Sequence, residues 1–459
     1  MIDMKQHRMQ QSLLTAVDAQ EETIISTVEK VEWIDPLLFY AAGVGYKERF
    51  YWSDPTQRVI MAGVGSVFTF TASSKKRFQK VHHVWNKCIK KMNVDRSPYS
   101  FGTGPLLFGG FTFDSLQKKT DTWDAYADAS FWLPAFMITL KDGEAWLTIN
   151  RITRDAKAED IDEDIQVAIR DLLEKSKNPL TEQTVSYVNK RIGKLGDWVQ
   201  TVTTVQKEME EKNIPKVVLA RKMKLETDRN IDAAPVLEAL RIGQPGCYIF
   251  AIEQNGSCFL GATPEKLVKK EGGNYTSMCL AGSIGRGSTL EEDEQNGNEL
   301  LYDEKNRNEH SFVVDSIRKT MEEVCNHVVI PQTPALMKTK HLIHLYTPVE
   351  ATGTTSLLTM VEKLHPTPAL GGTPRNEAMK MIREHEQLDR GLYGGPFGWV
   401  DREGNGEFAV GIRSGLIKGN QISLYAGCGI VADSKPELEY EETNMKFKPM
   451  LTALGGSII

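Results

Sequence analysis

A succession of short runs rich in β-branched and aromatic residues, each closed by a glycine-bearing turn, constrains this chain most. Residues 58–73 (RVIMAGVGSVFTFTAS) read as one such strand, and residues 131–151 as two apolar strands joined at Asp142-Gly143. Residues 216–225, 246–253 and 257–262, with the later segments LIHLYTPVEATG, EFAVGIRSGLI and ISLYAGCGIV, continue the pattern. Asn255-Gly256, Glu271-Gly272-Gly273 and Gly419-Asn420 are hairpin-type turns. Helical periodicity interrupts these strands. Residues 75–92 place Phe78, Val81, Val84, Trp85 and Cys88 on one face, and residues 302–324 do the same with Phe312, Val313, Ile317 and Met321. Residues 161–177 carry an acidic first turn and a basic end, as the helix dipole favours, and a long helix is expected over about 184–212. Hairpin-joined strands are antiparallel, so the pattern predicts an α+β fold rather than a doubly wound parallel sheet.

The chain has 459 residues, enough for a large core without covalent staples. The polar stretch at residues 175–183 is the best boundary candidate, dividing a first α/β lobe (1–185), packed with the rest, from a second region (186–459). Phe108-Gly109-Gly110-Phe111 and Tyr393-Gly394-Gly395-Pro396-Phe397-Gly398-Trp399 echo one another, each followed by a hairpin, which fits either two related β-lobes facing each other or two unrelated Gly-Gly strands. The net charge of −6 argues against nucleic acid as a partner of the whole molecule. No apolar run reaches the length of a membrane span, and the N-terminal MIDMKQHRMQQ lacks the apolar core of a secretion signal. Six scattered cysteines without C-x-x-C spacing read as reduced core residues, so a cytoplasmic location is expected. P-loop, G-x-G-x-x-G, G-x-S-x-G and H-E-x-x-H patterns are absent.

Several segments could carry chemistry, and each also has an ordinary reading. In EFAVGIRSGLI, strand alternation puts Arg413 beside the small Ala409 and Gly411, leaving room for an anion; equally, it is a surface arginine on an edge strand. Residues 434–449 look helical, with Glu439, Glu442 and Lys446 on one face, either a divalent-cation site or a solvated acidic face. Glu309 precedes His310 near Asp303 and Glu304, and His341 and His344 read as core or supporting histidines. In GATPEKL, Thr263 is a plausible cap and Pro264 the first residue of a short helix, so Glu265 would complement its dipole. Lys216 leads the β-branched run KVVLAR, either desolvated as a base or snorkelling to water.

Taken in order, KVVLAR, FLGATPEKL, CLAGSIGRG, DEKNRNEH, LHPTPALGG, YGGPFGW, FAVGIRSG, YAGCGIV and EYEETNMK resemble the chorismate-utilising enzymes, and among these the isochorismate synthases of menaquinone synthesis. The resemblance covers about residues 195–455 through specific motifs. It implies a large antiparallel β-sandwich of two related lobes wrapped by helices. By the same resemblance Lys216 deprotonates water and Glu265 protonates the departing hydroxyl, while Glu309 and Glu442 hold Mg²⁺. Gly282, Ser283, Ala369, Arg413, Gly427 and Lys446 match substrate-binding positions, with Glu439 and His344 supporting them. Family members that deliver ammonia commonly carry glutamine at the Lys216 position, so lysine favours water chemistry. Tyr440 and Cys428 replace a frequent tryptophan and alanine, which are packing changes.

The implied substrate is chorismate, isomerised to isochorismate for menaquinone synthesis. The competing expectations are a siderophore-pathway isochorismate synthase, a salicylate synthase that goes on to eliminate pyruvate, and a non-catalytic carboxylate-binding protein. Ala369 and Ser283 stand where lyase members tend to carry threonine. The sequence has no feature that sets an oligomeric state. Glu265 carries one difficulty: a helix N-terminus lowers a carboxyl pKa, so an acid role needs burial or the substrate's own charge to hold the proton.

Overall fold

The computed structural model describes residues 23–94, 100–153 and 161–455, so the N-terminal segment read for a secretion signal lies outside the described residues. Among these, 21 strands join one connected sheet. Only Thr23–Val31 and Met92–Val94 pair in parallel; the other pairings are antiparallel, as the hairpin turns require.

Two runs of strands make the faces of the sandwich. The first passes through Glu48–Ser53, Tyr248–Gln254, Ser257–Thr263, Ser414–Lys418, Gln421–Ile430 and Lys216–Thr227. The second passes through Leu106–Phe111, Pro396–Asp401, Gly406–Val410, Lys266–Glu271, Asn274–Gly285 and Leu342–Thr352. Long strands Val59–Ala72 and Ala129–Lys141 bridge them along one side. The faces meet through aromatic rings. Phe50 stacks on Phe108 at 3.8 Å between centroids, and Phe250 meets Phe397 at 4.0 Å. Trp52, Trp132 and Trp399 fill the same interior. Ten helices lie among the described residues. Their apolar faces, including Val202 and Val205, Leu237 and Leu240, and Met381 and Ile382, join a second and larger core with outward-facing strand residues such as Val217 and Leu219.

The two glycine-rich segments turn out to be neighbours. Gly398 lies opposite Gly109, and Phe397 opposite Gly110, in adjacent antiparallel strands. The strands of residues 23–153 therefore pair directly with strands from the second half of the chain.

Three local expectations are corrected. The stretch 184–212 is not one helix: Tyr187–Ile192 is a strand on the Lys216–Thr227 edge, and the helix is Leu195–Lys212. Gly193 follows the strand directly, ending a residue pattern whose alternating exposure suits an edge. EFAVGIRSGLI is two strands, Gly406–Val410 and Ser414–Lys418, broken at residues 411–413. GATPEKL contains no helix: Ser257–Thr263 and Lys266–Glu271 are strands joined directly through Pro264 and Glu265. These last two breaks lie side by side. Ala262 N donates to Arg413 O at 3.1 Å and Val410 N to Glu265 O at 3.1 Å. A two-stranded ribbon thus bends from one face of the sandwich to the other, and Glu265 and Arg413 stand at the bend.

Candidate active site

The ribbon bend opens one wall of a cavity of about 180 Å³, whose lining includes Glu265, Gly282, Ser283, Glu309, His344, Ala369, Arg413, Gly427, Glu439, Glu442 and Lys446. Every candidate site residue except Lys216 therefore lies on this lining, and Lys216 sits against it. Its Nζ donates to Glu309 Oε1 at 2.7 Å, and its side chain is fully buried. The snorkelling alternative is excluded.

Local backbone places each of these groups. Arg413 adopts φ 49°, a left-handed conformation that is uncommon for a non-glycine residue and ends strand pairing at the break. The period-2 reading of its neighbours therefore does not hold, and Arg413 is buried on the cavity lining rather than exposed on an edge. Gly282 has φ +80° at a register shift between Leu280 and Ser283, a bulge that brings Gly282 and Ser283 to the lining. A Cβ at Gly282 would approach Asn306 Oδ1 at 3.1 Å. At Gly429 a Cβ would sit 2.7 Å from Glu309 Oε1 and 2.9 Å from Lys216 Cε, so only hydrogen leaves space for that pair. Helix Glu304–Glu322 carries Glu309. It is pinned by buried His310, whose Nδ1 lies 3.1 Å from Ala281 O and whose Nε2 lies 2.8 Å from Thr347 Oγ1.

The charges are distributed unevenly. Burial pushes the Glu265 carboxyl up to about 7, against the opposing pull of the Lys216, Lys446 and Arg413 cations. With no helix beginning at Pro264, the dipole that would have opposed an acid role is absent. Burial alone would also raise Glu309, but the Lys216 ammonium, aided by Lys446 and Lys305, holds it below the usual carboxylate range. Burial, reinforced by the Glu442 charge, raises Glu439. Lys446 pairs with Glu442 at 2.6 Å and donates to Gly427 O at 2.8 Å; burial lowers its pKa, but Glu442 more than offsets this. Burial beside Arg413 and Lys446 keeps His344 neutral, with Nδ1 2.7 Å from Ser283 Oγ.

Three carboxylates, Glu309, Glu439 and Glu442, line the cavity with oxygens of the kind a hard divalent cation takes, although their ligand atoms do not all lie within 4.8 Å of one another. A further group, Glu208, Glu384 and His385, has its ligand atoms within 4.8 Å of one another but contributes nothing to the cavity lining; Glu208 is already paired with Lys212 and His385.

Sequence reasoning assigned no role to Tyr393, Arg390, Lys305 or Asn306, all of which line the cavity. For Tyr393 the signal lies in the motif YGGPFGW, which it opens. For Arg390 it was a glutamate four residues earlier, flanking the same glycine turn.

Comparison with known proteins accords with this geometry. The family model described as chorismate binding enzyme matches residues 10–455. Isochorismate synthase MenF of Bacillus subtilis is 40% identical over 455 residues, 97% of this chain and 96% of that protein. The salicylate biosynthesis isochorismate synthase of Pseudomonas aeruginosa is 32% identical over 452 residues, 94% of this chain and 91% of that one. The solved structure of the menaquinone-specific isochorismate synthase MenF from Escherichia coli shares the fold, with TM-score 0.78 and 23% identity, covering 96% of this chain and 98% of that one. The full-length match, over a fold whose chain-distant motifs meet at one cavity, places this chain in the chorismate-binding enzyme family.

Proposed function

We infer that this chain is an isochorismate synthase, converting chorismate to isochorismate, and that its product feeds menaquinone synthesis. One observation carries the reading: a single cavity brings together a buried carboxyl raised to about 7, Glu265, a buried lysine against its wall, Lys216, and the cations Arg413 and Lys446.

The reaction adds water oxygen at C2 of the ring while the C4 hydroxyl leaves and the double bonds shift, so one water enters and one departs. The attacking water must lose a proton and the leaving hydroxyl must gain one. Lys216, buried against the cavity wall, takes the first. Glu265, whose carboxyl burial raises to about 7, gives the second. Arg413 and Lys446 hold the substrate's carboxylates through charge-assisted bonds, at a cost already met by their burial in the folded protein.

Glu309 and Glu442 would hold Mg²⁺, with Glu439 beside them. When bound, the ion would orient the ring carboxylate and offset clustered negative charge. Gly282, Ser283, Ala369 and Gly427 supply small or backbone surfaces, which leave the ring room.

The test is turnover of chorismate with Mg²⁺ in ¹⁸O-labelled water. Isochorismate carrying one solvent oxygen is expected. Unlabelled isochorismate would remove the water-addition step, and salicylate with pyruvate would replace this reading with the salicylate synthase one. For the pathway, loss of the gene should deplete menaquinone, and depletion of a catechol siderophore instead would reassign the product.

A further inference from the structure

The strand that begins at Lys216 is hydrogen-bonded along one side to Gln421–Ile430. Its other side is incomplete. Gly372 and Thr373 pair with Val217 and Lys216, Val218 N donates to Gly371 O at 3.2 Å, and Tyr187–Ile192 takes over only from Met223 onward. Between these partners, Val218 O and Ala220 N face the interior without a strand. Buried backbone groups left unpaired are costly, so something must answer them.

Two side chains do. Arg390 Nη2 donates to Val218 O at 2.8 Å, and Ala220 N donates to Glu386 Oε2 at 2.8 Å. The two residues grip each other in a bidentate pair: Arg390 Nε to Glu386 Oε1 and Nη2 to Oε2, both at 2.7 Å. Arg390 Nη1 reaches Leu370 O at 3.2 Å, next to Ala369, and the guanidinium lies 4.2 Å from the centroid of the Phe113 ring. Each side chain is only 4% exposed. Three residues beyond Arg390, Tyr393 brings its hydroxyl to within 3.1 Å of where a Cβ on Gly427 would stand.

We propose that the Glu386–Arg390 ion pair is a positioning element for catalysis, standing in for a missing strand and setting the Lys216 strand, the Ala369 turn and the Tyr393 turn in one register. It rests on the reading of this cavity as the chorismate site. The pair balances its own charge, so Arg390 shapes the wall without adding a net cation to the substrate's surroundings. Its geometry, not its charge, performs the role: a lysine at 390 keeps the positive charge but cannot bond Val218 O, Leu370 O and both oxygens of Glu386 together.

Arg390→Lys and Glu386→Asp preserve a buried cation and a buried anion, avoiding the uncompensated charge that single neutralisation would leave. Each variant, with folding followed by its thermal melt, is compared with the parent for kcat, for chorismate binding stoichiometry and affinity by calorimetry in a Glu265→Gln background, and for amide exchange. The expected result is a kcat lower by roughly tenfold or more per binding-competent molecule, with affinity changed by less than about threefold. In Glu386→Asp, Ala220 should exchange faster while Leu219, which faces Gln421–Ile430, stays protected. Parental kcat in both variants would overturn the proposal, as would a fall matched by lost binding stoichiometry, which marks a structural role alone. Should the parent fail to turn over chorismate, the functional reading fails, and unchanged exchange at Ala220 would separately refute the clamp.

Discussion

Glu265 shows how far a single position can be misread and still be found. Thr-Pro-Glu is a normal opening for a helix, and on that reading its carboxyl would be stabilised as an anion. The residues around it instead form two strands, and burial raises the group to about 7. The folded protein then binds a proton that the unfolded chain, with a carboxyl near 4.5, has released, so stability declines as pH rises between those values. At about 1.4 kcal/mol per pH unit the full loss is of order 3 kcal/mol. Glu265→Gln should therefore be inactive yet more stable than the parent at pH 8, with the difference vanishing near pH 4, as read by urea unfolding at both pH values. Equal stability at pH 8 would mean that burial does not raise the Glu265 carboxyl above its ordinary range. Lys216, Glu309, Arg413 and Lys446 were legible as candidates through the ordered motifs that carry the family resemblance, since each residue taken alone has an ordinary reading. Arg390 carries only a weak signal, Glu386 four residues before it, because its other partners are main-chain oxygens of Val218 and Leu370, which no residue pattern displays.

At the scale of elements, turn chemistry was the reliable guide and strand continuity the unreliable one. Asp142-Gly143 and Asn255-Gly256 join strands as read, since left-handed backbone is what those residues tolerate. The break inside EFAVGIRSGLI leaves no mark in the sequence, because the apolar alternation runs on through Gly411. Nothing local records that the paired strand bends at Pro264. The echo between the glycine-rich segments had a direct cause: in the paired strands, a Cβ at Gly109 would stand 2.1 Å from Ser130 O, and one at Gly398 2.0 Å from Glu407 O. Close backbone approach, not turn geometry, demands glycine at 109. Gly109→Ala should accordingly cost about 1–3 kcal/mol, the range for overpacking a dense core. Denaturant unfolding measures it, and an unchanged midpoint would show that the strands can separate without penalty.

At the scale of the whole molecule, the cavity gathers charge from distant parts of the chain into three opposed pairs. Lys216 meets Glu309, Lys446 meets Glu442, and Lys305 approaches Glu439 at 3.4 Å. Folding can bury these carboxylates because each has a cation beside it, and a divalent ion would compete for the same oxygens. Metal binding should then register as stability even without substrate, since an ion that binds only the folded protein adds about 2.7 kcal/mol at a hundred times its dissociation constant. A chelator-treated sample should lose turnover, regain it with Mg²⁺, and show a melting temperature that rises with Mg²⁺. Glu442→Gln should abolish that rise, whereas Glu384→Gln, in the separate Glu208–Glu384–His385 group, should leave it intact. The paired control matters because a rise that survived Glu442→Gln but disappeared with Glu384→Gln would move the ion off the cavity. Full turnover in excess chelator would leave Glu309 and Glu442 as charge partners of the lysines and nothing more.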